Sequence, residues 1–126
     1  MKTKGGIEMY SHTFKKLKEL YIEADHHFYV AELDVVGGMG YFPNDPMKKR
    51  IPENIYKRNR IVKGNNFISA KKKIQNIEKE FLKLARQMAK NLTEEERKQV
   101  AKWRYEFRKM IASCEYYVDI FHNLKE

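Results

Sequence analysis

The chain has 126 residues, 42% hydrophobic and 34% charged, which fits one globular domain spanning 1–126 and excludes a disordered chain. Lys and Arg number 26 against 17 Asp and Glu, a formal net charge of +9 that excludes an acidic mimic of nucleic acid. A single cysteine, Cys114, excludes an internal disulfide and points to a reducing cytoplasm. No apolar run nears the roughly 20 residues needed to span a bilayer, and MKTKGGIEMY lacks the apolar core of a signal peptide, so no membrane partner is expected.

The first segment places Ile7, Tyr10, Phe14, Leu17, Tyr21, Ala24, Phe28, Ala31 and Val35 at alternating three- and four-residue spacings. That spacing predicts a helix over about 7–35 with one apolar seam, stopped by Gly37-Gly38. Its last third, HFYVAELDVV, is rich in β-branched residues, so a short hairpin over 28–42 is the alternative. Residues 37–66 lack the pattern, and GGMGYFPNDP carries turn chemistry. They read as a long basic connection, and its Tyr41, Phe42, Ile51, Ile55, Tyr56, Ile61 and Val62 imply that it docks on the bundle. The seam resumes at Phe67, Ala70, Ile74, Ile77, Phe81, Leu84 and Met88. Thr93-Glu94-Glu95-Glu96 forms a capping box, and a third seam runs from Val100 through Trp103, Phe107, Met110, Cys114 and Tyr117 to Phe121 and Leu124. The fold class is therefore all-α: three long antiparallel helices with heptad-like seams, the last two a helical hairpin over 67–125. Pairing about the 91–93 turn sets Phe67 opposite Tyr117 and lets the third helix outlast the second. The 41–62 connection is the expected cover for Phe121.

The charge is uneven. Between Met47 and Lys73 lie Lys48, Lys49, Arg50, Lys57, Arg58, Arg60, Lys63, Lys71, Lys72 and Lys73, opposed only by Glu53. Outside this stretch sixteen basic and sixteen acidic residues cancel, so the whole net charge sits in about a fifth of the chain. Clustered charge of one sign attracts phosphates or acidic partners. Lys71–Lys73 in the first turns of a helix starting at Phe67 would oppose its dipole, which suggests a phosphate site behind Gly64-Asn65-Asn66. Tyr56, beside Lys57-Arg58, is the stacking candidate for a base, whereas Phe42 reads as cover for the third helix.

Glu23, Asp25, His26 and His27 form the cluster nearest to a metal or acid–base site, but only Glu23 and His27 share a helical face, and two ligands make no site. Cys114 falls on a seam and reads as core. No phosphate loop, nucleophile elbow or paired zinc motif is present. The expectation is a non-enzymatic nucleic-acid-binding protein without catalytic residues, metal or cofactor. It would hold phosphates through 47–73, with single strands or RNA favoured. The alternative is a protein-binding regulator or inhibitor of a nucleic-acid enzyme or ribonucleoprotein. Phages and mobile elements encode such regulators, and the abundance of residues with AT-rich codons fits that source. Seams that complete a homo-oligomer are the third reading.

Overall fold

A computed structural model describes residues 11–123 apart from Asp34 and Val36. Three helices account for most of it: α1, His12–Glu32; α2, Glu53–Gln87; and α3, Glu94–His122. No strand occurs among the described residues, and 28–32 are helical, so the hairpin alternative for that part is set aside. The expected helical positions Ile7 and Tyr10 lie outside the described residues, as does Leu124. α1 begins where Ser11 caps it, its hydroxyl accepting the Phe14 N–H at 3.0 Å. α3 opens with the expected capping box: the Thr93 hydroxyl accepts from Glu96 N at 3.1 Å, and Glu96 accepts from Thr93 N at 2.9 Å. The same Glu96 carboxylate accepts the Ser11 N–H at 3.1 Å and so ties the starts of α1 and α3 together.

α2 lies between the other two helices and antiparallel to both, and the core is an aromatic ladder along it. Phe14 and Tyr21 stack on Trp103, Phe81 meets Phe107, and Phe67 stacks on Tyr117 with ring centroids 4.5 Å apart. Phe67 and Tyr117 are thus opposite each other, as the hairpin register requires.

Two boundaries differ from the sequence reading: α1 ends at Glu32, short of Gly37-Gly38, and the second helix starts early. The second helix begins at Glu53, behind Pro52, and not at Phe67, so α2 is 35 residues long and passes through Gly64-Asn65-Asn66 without a break. Its buried seam is Tyr56, Arg60, Lys63, Phe67, Ala70, Ile74, Ile77 and Phe81, an unbroken four–three alternation. Two of those eight positions hold cations, so hydrophobic periodicity alone stops at Phe67. The His122 ring lies against Gly64 and leaves no room for a side chain there; a Cβ would come within 2.3 Å of that ring.

The true connection is therefore 33–52, with a short 3₁₀ turn at Pro46–Arg50. Gly38 and Gly40 take positive φ, 69° and 96°, as its turns require. One Asp45 carboxylate oxygen accepts the N–H groups of Gly40, Tyr41 and Phe42 at 2.9–3.2 Å and fixes the loop. Its rings then reach Phe121: Tyr41 and Phe42 lie 5.9 and 5.3 Å from it, and Phe121 is fully buried. Tyr41 and Phe42 of the connection cover Phe121 as expected, but the expected overhang of α3 is overturned: α2, starting at Glu53, runs past the end of α3.

Candidate functional site

Because α1 and α3 run parallel, their C-termini arrive at the same end of the bundle, beside the first turns of α2. Each brings outward-pointing carbonyls and the negative end of a helix dipole. α1 carries no basic residue in its own last turn. Two cations of α2 meet this need. Lys63 Nζ donates to Leu33 O at 2.6 Å, capping α1. Arg60 donates to Ile120 O and, at 3.3 Å, to Asn123 O, capping α3, and reaches Tyr41 O at 2.9 Å and the Tyr56 hydroxyl at 3.0 Å. Both cations are buried, and Tyr41 lies under Lys63 at 5.4 Å. Tyr56, only 1% exposed, is a core ring with Lys48 4.3 Å over its face.

Burial corrects three of the expected contacts. Arg60 and Lys63 are turned onto backbone carbonyls and do not face a phosphate, and Tyr56 has no face open to a base. The expected phosphate site ahead of Lys71 is also corrected: Gly64, Asn65 and Asn66 are inside α2, and Lys71–Lys73 lie far from its start. Their charge therefore does not oppose an N-terminal dipole.

Of the remaining cations, Lys48 pairs with Glu53 at 3.0 Å and Lys71 with Glu115 at 2.8 Å. Lys49, Arg50, Lys57, Arg58, Lys72 and Lys73 are exposed and make no ion pair among the described residues. Along α2, every charged residue from Asn54 to Ile77 is a cation. Between them the exposed face carries Asn65, Asn66, Ser69 and Asn76, all hydrogen-bond donors. At about 1.5 Å per residue this stretch is roughly 36 Å long.

The two flanks of that face differ. The α2–α3 groove is lined by Ile68, Lys71, Lys72 and Val118 together with the carboxylates of Glu115 and Asp119. The α1–α2 groove is lined by His26, His27 and Val30 from α1 and by Asn66, Ser69 and Lys73 from α2, with no carboxylate. Glu23 stands at its margin, 4.0 Å from His27 Nε2. No group of three or more metal-ligating side chains occurs among the described residues.

The outward face of α1 was not singled out by the seam reading. Ile22, Tyr29, Val30 and Leu33 are 43–61% exposed there, and Val62 of α2 is 51% exposed. The available signal was apolar residues off the seam, at Tyr29 and Val30. Cys114 is fully buried; burial, opposed in part by Lys71, pushes its thiol up to about 11.

No helix among the described residues is long and apolar enough to cross a membrane. Comparison with protein-family models, with characterised proteins and with solved structures finds no match to this chain.

Proposed function

We propose that this is a small, non-enzymatic, cytoplasmic protein that binds nucleic acid along the exposed face of α2. The observation that carries the reading is the run from Asn54 to Ile77, in which no acidic residue interrupts the cations or the donor side chains between them. Such a surface meets a phosphate backbone without a repulsive contact, and its affinity comes mainly from counterion release. The phosphate contacts are Lys49, Arg50, Lys57, Arg58, Lys72 and Lys73. The exposed ring suited to stacking a base is Tyr29, next to Val30 on the groove, in place of Tyr56. The test is binding of labelled mixed-sequence RNA and DNA, single-stranded and duplex, at about 50 mM salt. The variant is Lys57→Gln, Arg58→Gln and Lys72→Gln combined. Wild type binds, and the triple variant binds at least about tenfold more weakly with its fold intact. Absence of wild-type binding to every polymer, or equal binding by the variant, would overturn the reading.

The exposed apolar residues of α1 favour a second reading, a protein-binding regulator of a nucleic-acid enzyme. Ile22, Val30 and Leu33 form the kind of surface that a protein partner or a second copy covers. Under that reading Ile22→Ser with Leu33→Ser abolishes partner capture or dimerisation, and the α2 triple variant does not.

A further inference from the structure

We infer that the α1–α2 groove is a seat for one phosphodiester group of the bound strand, held between the histidine pair of α1 and the donor row of α2. This rests on the nucleic-acid reading and adds to it where on the surface the backbone is gripped. Asn66, Ser69 and Lys73 follow one another at three- and four-residue spacing, so their side chains line one wall of the groove. His26 and His27 stand on the other wall, with ring centroids 6.1 Å apart. The groove, about 330 Å³, admits a phosphate with its sugar. Every polar side chain on its walls can donate a hydrogen bond, Lys73 brings a positive charge, and imidazole is the side chain whose charge responds to pH in this range.

The opposite flank serves as the comparison. There Lys71 is already held by Glu115 at 2.8 Å, and Asp119 adds a second negative charge. With Lys72 the groove holds two cations and two carboxylates that cancel, so it attracts a phosphate less than the histidine side, where no carboxylate lines the wall. The charged groups around the pair are Glu23, which approaches His27, Asp25 on the same turn of α1, and Lys73 across the groove. A phosphodiester seated between the walls would favour the imidazolium form of the histidines. Strand binding and proton uptake are therefore coupled, and acidification tightens the complex.

The experiment measures binding of a labelled mixed-sequence single-stranded 12-mer, about 50 mM salt, at pH 8 and pH 5.5. Wild type, Lys73→Gln, His26→Gln with His27→Gln, and Lys71→Gln are compared. Wild type tightens severalfold at the lower pH, and the double histidine variant loses most of that gain. Lys73→Gln weakens binding about five- to tenfold, whereas Lys71→Gln changes it less than about twofold. In wild type the imidazole proton resonances of His26 and His27 shift when the 12-mer is added. If the groove variants bind like wild type at both pH values while the α2 triple variant is weakened, the seat is overturned and the nucleic-acid reading stands. If Lys71→Gln weakens binding as much as Lys73→Gln, the general field and not this groove holds the strand, and the seat is again overturned. A wild type that binds no 12-mer overturns both.

Discussion

Arg60 and Lys63 sit at seam positions that a leucine would ordinarily fill, and their partners are the last carbonyls of two other helices. Removing either leaves those buried or half-buried acceptors without a donor and a dipole end without its cation. Arg60→Ala is expected to lower unfolding stability by about 2–4 kcal/mol, read from urea denaturation, while Arg58→Ala stays within about 0.5 kcal/mol. Equal effects would mean that Arg60 is not seated on those carbonyls. Phe121, enclosed by Tyr41, Phe42, Phe67 and Tyr117, should cost about 3–5 kcal/mol when changed to Ala. Cys114 gives a pH signature. Its folded thiol titrates near 11, above the usual value of about 8.5, so the unfolded chain gives up its proton first as pH rises. The associated stability is present below about pH 8.5 and is lost towards pH 11. Tyr21 and Tyr117, both raised mainly by burial, act in the same direction. Thermal melts of Cys114→Ala should therefore fall less steeply between pH 8.5 and 10.5 than those of wild type; parallel curves would contradict the burial.

At the scale of elements, α1 was legible from its seam and α3 from its seam and capping box, and so was the Phe67–Tyr117 register. The first fourteen residues of α2 were not, for a specific physical reason. Sequence periodicity treats a cation as a surface residue, and Gly64-Asn65-Asn66 carries low helix propensity. The seam becomes visible only once Arg60 and Lys63 are allowed on it, and that is justified by two helix C-termini that no local pattern reveals. The close approach of His122 to Gly64 is likewise a tertiary fact. The boundary has a direct test: amides of 57–66 should exchange about as slowly as those of 74–81, since both are internal to one packed helix. Exposed Asn65, if helical, should gain about 0.5 kcal/mol on substitution by Ala. Fast exchange at 57–66 would restore the loop that the sequence suggested.

For the whole molecule, the concentrated charge has two separate destinations. Part of it closes the end of the bundle where α1 and α3 terminate, and part of it is six exposed cations, Lys57, Arg58, Lys72 and Lys73 along α2 and Lys49 and Arg50 in the 3₁₀ turn before it. Composition shows only the sum, so the expected site included Arg60, Lys63 and Tyr56 alongside the surface residues. If α2 binds nucleic acid as proposed, the division makes stability and binding separable, with inward cations governing the first and outward cations the second. The most direct measurement is the salt dependence of wild-type affinity for a single-stranded oligonucleotide. If the six exposed cations each meet a phosphate, log K falls against log salt with a slope approaching about −4, at roughly 0.7 per contact. A slope flatter than about −1, or no binding at 50 mM salt, would contradict the account.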